Sequence, residues 1–179
     1  TDDGLKWISN VKYLQINSML INGSGFHYLK QCETLISSDL KHDCLKYLTN
    51  ITKLDLAFCT IDNEQMKNLS NCTSLRMYDC KDVNDDGVCF LKQCRKLTLA
   101  RTSINGSSFH HLTNCTFLDI TGTTINDEYL QYLTNVTTLY LSGTNVSDNG
   151  LRHLGHVRKL RLDFCANITN DGLKWLKQC

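Results

Sequence analysis

Residues 154–173 read LGHVRKLRLDFCANITNDGL, and this stretch decides the fold. Its first half places leucines at alternate positions, Leu160 and Leu162. That period of two is the mark of a short strand with one face buried. The second half brings apolar Ile168, then Thr169, then Leu173. In other copies of this half the apolar residues recur three apart, as in Leu151, Leu154 and Val157, or Phe109, Leu112 and Cys115. Such spacing suits one side of a short helix. Working outward, the first leucine of the strand recurs at Leu14, Leu35, Leu54, Leu75, Leu97, Leu118, Leu139 and Leu160, at intervals of 21, 19, 21, 22, 21, 21 and 21 residues. Periods of about 20–50 residues indicate solenoids, whose units bury their apolar faces only against one another.

The start of each helical half is marked by chemistry. After the apolar Ile or Val comes Asn22, Asp62, Asn84, Asn105, Asn126, Ser147 or Thr169, with Thr1 in the same phase. All are good N-caps, because a short side-chain oxygen can accept from the free N–H groups of a first turn. Lys41 is the exception, in a shortened second coil where Leu35-Ile36-Ser37 also lacks the second leucine; that coil is expected to be irregular. The acidic pairs Asp2-Asp3 and Asp85-Asp86 sit where they favour the positive end of a helix dipole. Asp3-Gly4-Leu5-Lys6-Trp7 returns as Asp171-Gly172-Leu173-Lys174-Trp175, with its leucine expected in the core and its tryptophan expected to pack between coils or over the convex surface. The shared phase of the two ends leads us to expect one domain of about eight coils over residues 1–179, a piece of a longer array without caps.

A strand, a turn and a short helix in about 21 residues resembles the leucine-rich repeat family, in a short form similar to its cysteine-containing subtype. The matching pattern, Leu-x-x-Cys-x-x-Leu-x-Leu-x-x-Cys/Thr-x-Ile-x-Asp-x-Gly-Leu, runs along essentially the whole chain, with Val157 at the Cys site of residues 154–173. The resemblance implies an α/β fold: a curved right-handed solenoid with a parallel β-sheet on the concave face and short helices on the convex face. It also implies a recognition scaffold, and many proteins of the subtype are substrate arms of F-box ubiquitin ligases.

The chain has ten cysteines. Cys32, Cys72, Cys94, Cys115 and Cys179 share one repeat position with Val11, Ile51, Val136 and Val157, a site suited to a small apolar side chain. Cys59, Cys80 and Cys165 share another with Thr102, Thr123 and Thr144, where side chains can satisfy backbone groups at the turn. Only Cys44 and Cys89 stand outside these two ladders. No Cys-x-x-Cys and no Cys/His cluster at zinc spacing occurs. Reduced thiols are expected, hence a cytoplasmic or nuclear location. Nine Asn-x-Ser/Thr sequons, among them Asn50, Asn71, Asn114 and Asn135 in one phase, pull toward an extracellular alternative. That phase follows the helix, where Asn suits a left-handed C-terminal position, so the sequons read as by-products of the repeat.

Composition excludes several classes. A net charge of +1 offers no electrostatic footprint for nucleic acid or an anionic membrane. No apolar run nears the roughly 20 residues that span a bilayer. Proline is absent, where average usage would give roughly nine; a backbone path repeated in every coil has little room for a fixed φ and a missing donor. The histidines do not recur with a nucleophile or carboxylate as a triad would, so neither catalysis, metal nor cofactor is expected.

Function then falls to the strand residues between the leucines, which point out of the concave sheet and do not repeat. Among them Arg76, Tyr78, Arg101, Phe117, Asp119, Tyr140 and Arg161 are the candidate partner-binding residues, since Tyr and Arg are enriched in binding hot spots. Ordinary cross-strand pairing would also place Phe117 beside Tyr140 and Asp55 near Arg76. The expectation is a monomeric scaffold that binds a protein partner on this face. The alternatives are a secreted or surface adhesin or receptor ectodomain, and a structural spacer in a larger protein.

Overall fold

The computed structural model describes residues 1–17, 21–38, 40 and 44–177; Lys41, His42 and Cys179 lie outside the described residues. Eight strands form one parallel sheet in chain order: β1 (Tyr13–Ile16), β2 (Thr34–Ser38), β3 (Lys53–Ala57), β4 (Ser74–Tyr78), β5 (Lys96–Thr98), β6 (Phe117–Asp119), β7 (Thr138–Tyr140) and β8 (Lys159–Arg161). The register follows the sequence period, with Leu54 beside Leu75, Leu75 beside Leu97 and so on to Leu160. At about 4.8 Å per strand the sheet is roughly 34 Å wide.

Between strands run short helices on the convex side. Four coils carry one turn of α-helix, α1 (Asn63–Met66), α2 (Asp85–Val88), α3 (Asp148–Leu151) and α4 (Asn170–Leu173). The others hold 3-10 turns, such as Ser24–Tyr28, Phe109–His111 and Asp127–Tyr132. Three residues per turn is the 3-10 period, which matches the three-residue spacing of the apolar side chains.

The core is a column of these side chains. From β2 to β7 the inward strand leucines are buried, as are Ile61, Val83, Ile104, Ile125 and Val146 at the turns. In the outer coils Leu14, Ile16, Leu160 and Leu162 are half-buried, since each meets a neighbouring coil on one side. The two copies of the Asp-Gly-Leu-Lys-Trp phrase therefore differ. Leu5 enters the core at 2 % exposure, but Leu173, with α3 on one side only, remains 49 % exposed. The tryptophans lie on the convex surface, Trp7 under Lys6 Nζ at 5.1 Å and Trp175 near the Arg152 guanidinium at 5.9 Å. Their repeat position on the convex side holds a ring eight times among the described residues, as Trp7, Tyr28, Tyr47, Phe90, His111, Tyr132, His153 and Trp175, with Asn68 breaking the series.

The strand of the second coil departs from the expected irregularity, while the turn at Lys41 lies outside the described residues. Strand β2 is regular and pairs in register with both neighbours, although Ser37 stands where other coils put an aliphatic residue. Backbone pairing on both sides holds the strand whatever the inward side chain is, and Ser37 is small enough to sit at 4 % exposure.

Capping follows the sequence in six of eight positions. Asn22, Asp62, Asn84, Asn105, Ser147 and Thr169 accept from backbone N–H groups of their own first turns. Thr1 and Asn126 make no such bond. A second set of caps runs between coils. The Asp2 carboxylate accepts from the N–H groups of Asn22, Gly23 and Gly25, each at 3.0 Å. Asp85 accepts from Asn105, Gly106 and Ser108 in the next coil, Asp127 from Ser147 and Asp148 from Thr169. These carboxylates thus close the next coil's turn; the dipole of a four-residue helix is a minor effect beside that. They also explain the glycine of Asp-x-Gly. A Cβ on Gly150 would lie 2.5 Å from Asp127 Oδ1, and one on Gly87 2.6 Å from Asn63 Oδ1.

The sequon asparagines have another role than a left-handed terminus. Among the described non-glycine residues, positive φ occurs only at Phe58, Asp79, Arg101 and Phe164. Asn50, Asn114 and Asn135 instead donate their side-chain amides to the carbonyls of Lys30, Lys92 and Thr113 in the preceding coil. The threonines of the same sequons, Thr52, Thr116 and Thr137, donate to Glu33, Arg95 and Thr116 carbonyls.

Candidate binding face

The strand leucines turn inward, so their neighbours form the outward face of the sheet. Register aligns these residues in rows. One row runs Asp55, Arg76, Thr98, Asp119, Tyr140, Arg161. A further row lies just past the strands at Phe58, Asp79, Arg101, Gly122, Gly143 and Phe164, and every member has φ between 55° and 69°. Glycine fills a left-handed position without strain, whereas a residue with Cβ costs about 1–2 kcal/mol there. Four coils nevertheless place side chains at this bend, and the rings of Phe58 and Phe164 are 58 % and 92 % exposed.

The structure gathers five of the seven candidates into two clusters, sets Arg76 in a pair beside them and leaves Asp119 apart. In the first, Tyr78 on β4 meets the edge of Phe58 at 5.7 Å and carries the Arg101 guanidinium over its ring at 5.6 Å. In the second, Tyr140 on β7 meets Phe117 edge to face at 5.3 Å and lies under Arg161 at 5.1 Å and Lys159 at 5.7 Å. The pair is Arg76, whose guanidinium donates to both oxygens of Asp55 at 3.2 and 3.1 Å. Asp119 accepts from the Thr121 N–H at 3.0 Å, which shapes the end of its own strand. Phe58, Phe164 and Lys159 were outside the seven candidates. Their signal was the row itself, in which two glycines mark a left-handed bend that Phe58 and Phe164 also occupy.

Charge is distributed unequally. The carboxylates that cap the coils, Asp2, Asp85, Asp127 and Asp148, belong to the helical side. Burial alone would raise the Asp2 carboxyl, but N–H donors from Gly25, Asn22 and Gly23 and the nearby N-terminus hold it below its usual value. The Asp148 carboxyl is likewise low, first through the Thr169 hydroxyl and then the Thr169 N–H. On the sheet, Lys53, Lys96 and Lys159 have no ion pair among the described residues.

The thiols lie behind this face. Cys32, Cys72, Cys94 and Cys115 are fully buried. Each places its Sγ by a backbone carbonyl: Cys32 and Thr34 at 3.2 Å, Cys72 and Ser74 at 3.2 Å, Cys94 and Cys72 at 3.0 Å, Cys115 and Phe117 at 3.1 Å. Thr102, Thr123 and Thr144 donate to the carbonyls of Leu99, Ile120 and Leu141 at the turns, and Cys59 and Cys80 make the same type of contact with Ala57 and Tyr78. Burial pushes Cys115 up to about 12. Cys94 is raised first by sharing a hydrogen bond with the Cys72 thiol and then by burial, and Cys59 stands in the same relation to Cys80. Such thiols are poor nucleophiles. Among the described residues no group of three or more His, Cys, Asp or Glu side chains is placed to hold a metal ion, and no helix is long and apolar enough to cross a membrane.

Eight coils of strand and short helix, stacked in register around a leucine column, define a leucine-rich repeat solenoid. The family model described as Leucine Rich repeat matches residues 47–70 and 132–155. Among solved structures the fold is similar to an internalin, InlF, from Listeria monocytogenes, with a TM-score of 0.77 at 18 % identity over 97 % of this chain and 54 % of that one. Internalin C2 of the same species gives 0.71 at 25 % identity over 99 % and 81 %. A leucine-rich repeat protein of Leptospira interrogans gives 0.76 at 16 % identity over 98 % and 49 %. The chain spans about half the length of InlF and of the Leptospira protein. No curated protein matches it. Leucine-rich repeat proteins act in general as protein–protein interaction scaffolds.

Proposed function

We propose that the chain recognises a protein partner on its concave sheet, and that the two ring–cation clusters around Tyr78 and Tyr140 carry the recognition. The supporting observation is the contrast within each strand: the inward residues repeat and are buried, while the outward ones differ from coil to coil and leave aromatic rings and guanidinium groups in solvent. Arginine and tyrosine bring large contact area with few rotors and concentrate in interface hot spots. A photo-crosslinking amino acid at Tyr140, compared with one at Tyr132 on the convex side, tests this in cells that make the protein. A discrete adduct from position 140 alone is expected. Adducts from 132 alone, or from neither, would overturn it.

The buried thiols favour a reducing compartment, the cytoplasm or nucleus, over an extracellular one. There the chain would serve as the substrate arm of an F-box-type ubiquitin ligase. Ten free thiols on titration of the denatured protein are expected; several disulfides would instead favour an adhesin or receptor ectodomain.

A further inference from the structure

The C-terminal half of the sheet carries more cations than it can pair. In β5 to β8 and the bends that follow, Lys96, Arg101, Lys159 and Arg161 face Asp119 and Asp163. Both carboxylates already have donors: Asp119 takes the Thr121 N–H, and Asp163 takes the Ser142 hydroxyl at 3.1 Å with Arg161 Nε at 3.7 Å. Lys96 and Lys159 are exposed and have no ion pair among the described residues. They stand in one row, Lys96 beside Phe117, Phe117 beside Thr138, Thr138 beside Lys159. Three strand spacings separate them, about 14 Å. An extended chain covers that distance in about four residues.

We infer that the partner segment is an acidic, extended polypeptide lying across strands β5 to β8, with carboxylates four residues apart on Lys96 and Lys159 and an apolar or aromatic side chain between them over Phe117 and Tyr140. This rests on the concave-face reading above and names the chemistry of its ligand. Charge complementarity selects an acidic occupant. The interspersed Asp119 and Asp163 select a polypeptide over a nucleic acid. A sugar–phosphate backbone would carry negative charge past both carboxylates as well as past the lysines. A polypeptide can set its acids only opposite Lys96 and Lys159.

The test is selection of phage-displayed random 12-residue peptides on the whole chain. Enriched peptides should carry Asp or Glu at positions i and i+4 with an apolar residue between. Fluorescence anisotropy with a labelled selected peptide should show binding weakened roughly tenfold or more by Lys96→Glu with Lys159→Glu, and a peptide with lysines at both acidic positions should bind that double variant better than the parent protein. Both changed residues are exposed, so the fold is not at stake. Enriched peptides that lose binding with Tyr140→Ala but lack the acidic pair would overturn this inference and leave the concave-face reading standing. Binding indifferent to Tyr140→Ala and to both lysine changes, or no enrichment, would overturn the two together. Tighter binding of a 12-nucleotide oligouridylate than of any selected peptide, lost in the double variant, would overturn the polypeptide assignment alone.

Discussion

Removing the Asp85 carboxylate should unhook one coil from the next. Its Oδ1 accepts from the N–H groups of Gly106 at 3.1 Å and Ser108 at 3.0 Å and from the Ser108 hydroxyl at 2.8 Å, and its Oδ2 accepts from the Asn105 N–H at 2.6 Å. In Asp85→Ala the exposed Asn105 N–H finds water and the hydroxyl can rotate to another acceptor. Gly106 and Ser108 are buried, so their two N–H groups are left without a partner. At about 1–3 kcal/mol for each orphaned donor, the loss is roughly 3 kcal/mol. For a domain of this size that lowers the melting temperature by roughly 6–12 °C. The neighbouring Asp86→Ala is the control, because its carboxylate makes no bond to the next coil. If both aspartates acted only on the helix dipole, each change would cost about 0.3–1 kcal/mol and the two would match. Urea unfolding followed by circular dichroism, with the slope checked for constancy, separates the cases. Values for the two variants within about 0.5 kcal/mol of each other would refute the inter-coil cap; the cited range for a dipole effect is the yardstick.

Other expectations follow from the same geometry. Gly150→Ala must push a Cβ against Asp127 Oδ1 and Leu130 Cδ1 and should cost about 1–3 kcal/mol, whereas Gly4→Ala meets nothing within 4 Å and should be neutral or slightly stabilising by urea midpoint. Phe164→Gly relieves a φ of 61° at a ring that is 92 % exposed; stability should rise by about 0.5 kcal/mol after the entropy cost of glycine, and a fall of more than about 1 kcal/mol would show that the ring packs in solution. The lowered carboxyls of Asp2 and Asp148 bind protons less readily folded than unfolded, so their contribution is present above the unfolded value near 3.8 and is lost as pH falls through the lower folded values. Asp148→Asn should flatten the decline of the urea midpoint between pH 5 and the acid limit, and an unchanged profile would count against the cap. With iodoacetamide at pH 8, half-buried Cys89 and Cys165 should react in the native protein before the buried Cys94 and Cys115; mass mapping that finds Cys115 alkylated first would contradict its raised value.

The strands and their register were legible because each coil restates its leucines. The inter-coil caps were harder to read, because the receiving and giving residues stand 20 to 23 positions apart and neither is apolar. Asp2, Asp85, Asp127 and Asp148 recur in phase, but Gly23, Asn63 and Gly106 interrupt the series. Local rules consequently assigned the acids to their own helices. The strand of the second coil shows the opposite case: Ser37 breaks the leucine pattern, yet β2 is held by backbone bonds to β1 and β3 that no side-chain pattern records.

The binding face divides along the same line. Tyr140 and Arg161 could be brought together from the period alone, since residues 21 apart share a row, and Phe117 lies diagonally from Tyr140 in the adjoining row. Phe58 and Phe164 could not be weighted that way, because their importance lies in the backbone. Gly122 and Gly143 show that the bend after each strand is best served by glycine, and the chain puts phenylalanine there twice with little packing in return. A side chain kept at a strained and exposed position contributes nothing evident to the fold of the isolated coil. Strain of this kind is characteristic of surfaces where something else is bound. If a partner covers Phe58 or Phe164, the strain is offset by burial of a ring, and Phe164→Gly should stabilise the free protein while weakening its complex. Stability and affinity moving in opposite directions on one substitution is an outcome that a purely structural spacer does not predict.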